Sequence, residues 1–141
     1  MKEELLIKLK EIEKKFPFMF AAPATDQEIQ KTEQRLGRTF SQHYKDFLGV
    51  YGGAMVGAYP IFGIHPVEPM DEALNTVELA TERFANDGWE GLDAGIVISE
   101  NHAGDPAILK NDGSVHLGSH DGTGQLIWNN FDDFLSWCLE R

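Results

Sequence analysis

The sequence predicts an α+β domain, and three observations lead to this prediction. Three helix-like segments come first, short extended segments with one helix among them follow after residue 54, and a helix closes the chain. This order lacks the strand–helix alternation of a parallel sheet, so we expect a mostly antiparallel sheet of about five or six strands with flanking helices. A chain of 141 residues, 42% of them hydrophobic, can bury one core, which predicts a single domain over residues 1–141.

Three helices are predicted in the first half. In residues 3–16 the apolar side chains fall at helical spacing: Leu5, Leu9, Ile12 and Phe16. The run Thr25-Asp26-Gln27-Glu28 is a capping box, and we expect a helix from there to Leu36. Ser41 caps a third helix, which we expect Gly52-Gly53 to end through positive φ.

Extended segments dominate the second half. Tyr59–Ile64 is rich in aromatic and β-branched residues. Gly95–Ser99 is a continuous apolar run, which we interpret as a central strand buried on both faces. Asn111-Asp112-Gly113 separates Pro106–Lys110 from Ser114–Ser119 and predicts a hairpin in a three-stranded meander, because these residue types tolerate the positive φ of tight turns.

Residues 66–93 carry most of the negative charge. This stretch holds eight acidic residues against Arg83 alone, in a chain of formal net charge −11. We expect a helix of about 16 residues here, and its buried stripe would be Met70, Leu74, Val77 and Phe84. The residues one position after those of the stripe lie about 100° further around the helix axis. They would form a solvent-facing ridge: Asp71, Asn75, Glu78 and Glu82.

The chain is expected to close with an extended segment at Gln125–Trp128 and a helix that Asn130 caps. The apolar stripe of this helix is wide: Phe131, Phe134, Leu135, Cys138 and Leu139. Because Cys138 is the only cysteine, it cannot form an internal disulfide, and we interpret it as a small buried apolar side chain rather than a nucleophile.

Composition excludes several classes of function. A net charge of −11 repels a phosphate backbone, so we expect no nucleic-acid binding. The N-terminal residues lack the apolar stretch of a signal peptide, and no run approaches the ~20 apolar residues of a membrane span. With no sign of disulfides either, we expect a soluble, cytoplasmic protein without a membrane partner.

Short motifs over about residues 25–139 occur together in a fixed order. The first are Leu36-Gly37-Arg38-Thr39-Phe40-Ser41, Tyr44, Phe47-Leu48, Tyr51-Gly52-Gly53 and Ile61-Phe62-Gly63-Ile64. The later ones are Val97-Ile98-Ser99-Glu100, Ala103-Gly104-Asp105-Pro106 and Phe131-Asp132-Asp133-Phe134-Leu135. This ordered set resembles the Smi/Knr cell-wall regulator family of the SUKH superfamily.

The resemblance implies a SUKH-like α+β fold and a role without catalysis. Bacterial members of that superfamily are read as immunity proteins that neutralise secreted toxins, often nucleases, whereas fungal members act in cell-wall synthesis signalling. We therefore expect a non-enzymatic module that binds a protein partner, most concretely a basic toxin, with no cofactor. A regulator or scaffold in cell-wall or glucan synthesis is the alternative.

The candidate partner-binding residues come from the acidic stretch, its tryptophan and one matched polar position. Acidic side chains can steer a basic partner, and Trp is enriched at binding hot spots. The residues are Asp71, Glu78, Glu82, Asp87, Trp89, Glu90, Asp93 and Asp105. The competing interpretation is that the acids serve solubility, that Trp89 packs onto the sheet, and that Asp105 only forms a turn.

A metal-dependent hydrolase is a remote alternative. Residues with ligand chemistry fall within twenty positions of one another: His102, Asp105, His116, His120 and Asp121. Their spacing argues against a site, because His116 and His120 would lie roughly 13 Å apart along a strand. We therefore expect no metal and no catalytic residues.

Overall fold

The computed structural model describes residues 1–118 and 125–141, in which five α-helices accompany two antiparallel sheets. The helices are α1 (Glu3–Lys15), α2 (Asp26–Leu36), α3 (Gln42–Leu48), α4 (Val77–Asn86) and α5 (Phe131–Leu139). The strands are β1 (Ala54–Val56), β2 (Tyr59–Ile61), β3 (Ile96–Glu100), β4 (Pro106–Leu109), β5 (Val115–Gly118) and β6 (Gln125–Trp128). The α+β class is confirmed, but the strands divide into sheets of two and four, so neither sheet reaches five.

Local capping signals form the helix ends that the sequence predicts. The Thr25 hydroxyl accepts from the amide of Glu28 at 3.1 Å, and the Glu28 carboxylate accepts from the amide of Thr25 at 3.0 Å. Gly37 ends α2 with a φ of 65°, and Ser41 and Asn130 cap α3 and α5. These groups satisfy backbone donors and acceptors that would otherwise be unpaired at helix ends.

The role predicted for Gly52 and Gly53 is wrong. Helix α3 ends at Leu48, and neither glycine has a positive φ. Each lies instead where two backbone segments approach closely: a Cβ on Gly52 would collide with the carbonyl oxygen of Ala22, and one on Gly53 would lie 2.5 Å from that of His65. The absence of a side chain, rather than a left-handed turn, explains this glycine pair.

The larger sheet is a four-stranded meander in the order β3-β4-β5-β6, so β3 lies at its edge and not at its centre. Strand β3 is nevertheless buried, because α4 packs against it and the segment after β2 covers its outer edge. There the amide of Phe62 donates to the carbonyl of Ile98 at 2.8 Å. An apolar run therefore identified a buried strand correctly but could not distinguish a central strand from a covered edge.

The hairpin between β4 and β5 is confirmed. The amide of Lys110 donates to the carbonyl of Ser114 at 2.8 Å, and Gly113 has a φ of 91°. Asp112 accepts from the amide of Ser114 at 2.9 Å, and Gly113 is the residue of this turn that adopts the left-handed conformation. Strand β3 pairs with β4 and β6 pairs with β5, so the meander has four strands rather than three.

An aromatic core joins α3 to α5. The rings of Tyr44 and Phe47 each lie 5.2 Å from the ring of Phe131, and the Tyr44 hydroxyl donates to the carbonyl of Phe62 at 2.6 Å. Cys138 is fully buried, and burial raises the pKa of its thiol to about 12. This pKa keeps Cys138 protonated, as expected for an apolar packing residue.

One residue of the α1 stripe departs from the prediction. Helix α1 ends at Lys15, and the Phe16 side chain is 47% exposed. Its ring packs edge-on against Phe18, 6.3 Å away, instead of entering the core. Pro17 begins a short 3-10 turn here, and this break rotates Phe16 away from the buried face that Leu5 and Leu9 share.

Candidate protein-binding surface

The helix in the acidic stretch is shorter than predicted. It begins at Val77, because the Thr76 hydroxyl caps it by accepting from the amide of Leu79 at 3.2 Å. A threonine followed by an acidic residue in the first turn is a recognisable start signal, and the apolar spacing of the preceding residues obscured it.

The residues before α4 form a separate 3-10 turn, Glu72–Leu74. Asp71 caps this turn, its carboxylate accepting from the amide of Ala73 at 2.8 Å. The predicted continuous ridge is therefore wrong, since only Glu78 and Glu82 of its members belong to α4. Asp71 is still exposed, so it extends the acidic region from a neighbouring segment.

Helix α4 is fixed to the sheet by its inner face. Val77, Ala80 and Phe84 are buried, and the Thr81 hydroxyl accepts from the amide of Val97 in β3 at 2.9 Å. This buried hydrogen bond sets the position of the helix along the strand. The outer face, which includes Glu82, therefore has a defined position relative to the sheet.

Two of the acidic candidates form ion pairs. The Glu78 carboxylate lies 3.4 Å from the guanidinium of Arg35, and the Asp87 carboxylate lies 3.8 Å from that of Arg83. Within residues 1–118 and 125–141 no ion pair involves the exposed side chains of Glu82, Glu90 and Asp93. We call the six acidic candidates of this region the acidic surface: Asp71, Glu78, Glu82, Asp87, Glu90 and Asp93.

The loop between α4 and β3 (residues 87–95) is anchored by apolar side chains. Trp89 is half-buried, with its ring edge-on to Phe84 at 5.8 Å and its amide donating to the Phe84 carbonyl at 3.1 Å. Leu92 is 6% exposed. Gly88 and Gly91 have φ values of 78° and 85°, which lets the chain turn twice between these anchors.

Two cationic side chains also hold this loop, and neither was predicted. The guanidinium of Arg38 donates to the carbonyl of Leu92 at 2.8 Å, and the ammonium of Lys110 donates to the carbonyl of Gly91 at 2.9 Å. These partners are 54 and 19 residues apart in sequence, so no local pattern could reveal them. Because both cations bind backbone carbonyls, they fix the loop without neutralising the carboxylates of Glu90 and Asp93.

Glu100, at the end of β3, adds a carboxyl that sequence reasoning missed. Burial raises the pKa of the Glu100 carboxyl above its usual value; nearby Arg83 lowers that pKa in part, and Asp71 raises it further. Asp71 is thus close enough to act electrostatically on the strand that α4 covers. Asp71 of the acidic surface therefore lies close enough to Glu100 to disfavour its charged form.

Asp105 differs from the other candidates. It is 4% exposed and lies in the turn between β3 and β4, where its carboxylate accepts from the side-chain amide of Asn101 at 3.2 Å. Its own amide donates to the Asn101 side-chain oxygen at 2.9 Å. Asp105 therefore orders a turn and presents almost no surface to a partner.

The profile of the SMI1 / KNR4 family (SUKH-1) matches residues 23–137. The chain belongs to this family. The match begins just before α2 and ends within α5, so it includes the whole acidic surface. A comparison with curated proteins gave no match. SUKH-1 membership and the α+β fold fit a non-enzymatic immunity or regulatory module that binds protein partners.

The histidines of this SUKH-1 protein have the chemistry of metal ligands. Among the described residues no group of three or more His, Cys, Asp or Glu side chains could hold a metal ion. His116 contacts the Ser114 hydroxyl at 2.9 Å and the Gln125 side-chain amide at 3.4 Å, and the ring of His102 lies 6.1 Å from that of Tyr59. The two other candidates, at positions 120 and 121, lie outside the described residues.

Within the described part of the chain, no helix combines the length and apolar character needed to cross a membrane.

Proposed function

We propose that this SUKH-1 protein is an immunity protein that binds and neutralises a basic secreted toxin through its acidic surface. The observation that carries the proposal is the anchored α4–β3 loop. Its backbone carbonyls are bound by Arg38 and Lys110, while the carboxylates of Glu90 and Asp93 remain exposed and without ion pairs among the described residues. Acids that served solubility alone would not need a loop fixed in this way.

The physical argument combines steering with preorganisation. A net charge of −11 accelerates the encounter with a basic partner, and concentrating charge on one side orients that encounter. A loop that is already ordered loses little conformational entropy on binding, so more of the contact energy appears as affinity. Trp89 supports this geometry by packing on Phe84, and its exposed part would contact the partner beside Glu90.

The test begins with an affinity pull-down from the native host at low salt, using tagged protein. Binding of the recovered partner is then measured for wild type and for a Glu82→Lys, Glu90→Lys variant. Glu78 is a poorer choice for charge reversal, because its substitution would also break the pair with Arg35. The matched control is Glu3→Lys, Glu11→Lys on exposed positions of α1, which changes the net charge by the same amount.

The expected result is a loss of affinity of about 100-fold for the Glu82, Glu90 variant, with the same partner's toxic activity no longer neutralised. Raising salt should weaken wild-type binding, because exposed charges are screened beyond about 8 Å at physiological ionic strength. The control variant should bind nearly as wild type does. Equal loss in both variants would mean that total charge matters and the acidic surface is not the site.

The second candidate is a regulator or scaffold in cell-wall or glucan synthesis, which the SMI1 / KNR4 description of the family favours. It would use a protein-binding surface in the same way but would bind a cellular enzyme of envelope synthesis. The pull-down distinguishes the two proposals by the class of partner recovered. Neither proposal requires a cofactor, a metal or a catalytic residue.

A further inference from the structure

Strand β6 is the open edge of the four-stranded sheet. The opposite edge, β3, is covered by the hydrogen bond from Phe62 to Ile98, whereas within the described residues no strand pairs with the outer side of β6. By strand geometry, alternate N–H and C=O groups of Gln125–Trp128 point away from β5. Such a row of unpaired groups is a template for another strand.

The side chains of β6 make this edge unusually apolar. Leu126 is 50% exposed and Ile127 is 57% exposed, and as successive residues of a strand they lie on opposite faces of the sheet. Natural edge strands are usually protected by a charge, a proline or a bulge. Strand β6 contains no charged residue and no proline, and its pairing with β5 is regular.

Charge indicates which occupant fits this edge. In a chain of net charge −11, most surfaces repel a second copy, but neither β5 nor β6 contains Asp, Glu, Lys or Arg. The acidic surface belongs to α4 and its neighbouring segments, and α4 packs at the β3 end of the sheet, away from β6. A second copy can therefore approach β6 without bringing the two acidic surfaces together.

We propose that two copies of this chain associate by antiparallel pairing of β6 with β6, which joins their sheets into one. The twofold axis is perpendicular to the joined sheet, so corresponding faces of the two copies lie on the same side of it. The axis passes between the two Ile127 residues, so Ile127 of one copy lies opposite Ile127 of the other. Leu126 then lies opposite Trp128, on the face where the Trp128 ring packs against Phe134 at 4.9 Å. Both exposed apolar side chains are covered by this single register.

The interface is small, since it depends on a strand of four residues. Interfaces well below ~1,200 Å² are weak, so we expect dissociation in the range of about 100 µM and a monomer–dimer equilibrium that depends on concentration. This association is independent of the proposed immunity function and leaves the acidic surface of each copy free.

The test is sedimentation velocity of the full chain from about 10 µM to about 1 mM. Wild type should shift from monomer to dimer, and Ile127→Lys should remain monomeric. The matched control is Ile7→Lys on α1, because Ile7 is 51% exposed and the substitution changes the net charge equally. Both lysines change the net charge of the chain equally, so a loss of the dimer confined to Ile127→Lys is a local effect at β6, where the two lysines would face each other across the twofold axis.

Three outcomes would overturn the proposal: a wild-type protein that stays monomeric at about 1 mM, an Ile127→Lys variant that still dimerises, or an equal loss of dimer in the Ile7→Lys control. Circular dichroism and thermal melting establish that each variant is folded. If Ile127→Lys does not fold, Ile127→Thr keeps a β-branched residue and should weaken the dimer at least 5-fold.

Discussion

The buried hydroxyl of Tyr44 offers a direct test of how α3 is joined to the β2 region. Tyr44 has no exposed surface, and its hydroxyl donates to the Phe62 carbonyl at 2.6 Å. The substitution Tyr44→Phe removes this donor but keeps the ring contacts with Phe40 and Phe131, at 5.3 Å and 5.2 Å. The change in the free energy of unfolding therefore measures the cost of leaving the buried Phe62 carbonyl without this hydrogen-bond donor.

That cost is expected to be about 2 kcal/mol, because an unsatisfied buried polar group costs roughly 1–3 kcal/mol. For a domain of this length the entropy of unfolding is about 0.3 kcal/mol/K, so the melting temperature should fall by about 7 °C. The measurement is urea unfolding followed by tryptophan fluorescence, with the slope m compared between variants to establish that two-state behaviour is unchanged.

The matched control is Tyr51→Phe. The Tyr51 hydroxyl donates to the Glu13 carboxylate at 3.0 Å, and Glu13 is half-exposed, so water can replace the lost donor. We expect this variant to lose less than about 1 kcal/mol. The argument that an unpaired buried carbonyl sets the cost would be refuted by either of two results: a loss of stability for Tyr44→Phe equal to that of the control, or a loss below about 0.5 kcal/mol.

Two further predictions concern the close backbone approach at Gly63 and the half-buried carboxyl of Glu100. Gly63→Ala should lower stability by more than about 2 kcal/mol, because its Cβ would collide with the carbonyl oxygen of Gly52. Gly118→Ala should be nearly neutral in the same thermal melts, because among the described residues, chain neighbours apart, no heavy atom lies within 4 Å of the added Cβ. Glu100→Gln should raise the melting temperature at pH 7, because the folded-state pKa of Glu100 is raised, so its charged form opposes folding above that pKa. The gain should shrink as pH falls through the folded-state pKa and vanish below the unfolded value; a gain independent of pH would contradict this cause.

The sequence alone determined the features that neighbouring residues encode. Thr25 with Glu28, Ser41 and Asn130 formed helix starts as predicted, because a cap is a hydrogen bond between residues three positions apart. The hairpin at Gly113 followed from one residue's tolerance of positive φ. The buried stripe of α5 followed from helical spacing. The α+β class could be predicted because it depends only on the order of such segments.

Errors arose where two local signals competed. The apolar spacing from Met70 to Phe84 favoured one long helix, but Thr76 provides a cap that starts α4 at Val77. Asp71 likewise caps a separate turn. A periodicity that continues across a turn by coincidence cannot reveal the turn. The sequence therefore predicted Asp71, Glu78 and Glu82 on one ridge, whereas Asp71 caps a 3-10 turn and only the two glutamates belong to α4.

Only the tertiary structure decided which distant residues meet. Arg38 reaches the carbonyl of Leu92, 54 positions away, and the segment after β2 covers the edge of β3. Gly52 and Gly53 likewise meet the backbone of Ala22 and His65 at close range. Lys110, like Arg38, binds a carbonyl of the acidic loop and fixes it in place. The physical reason is that a long-range contact depends on how complete elements pack, and that information is not contained in any short stretch of residues.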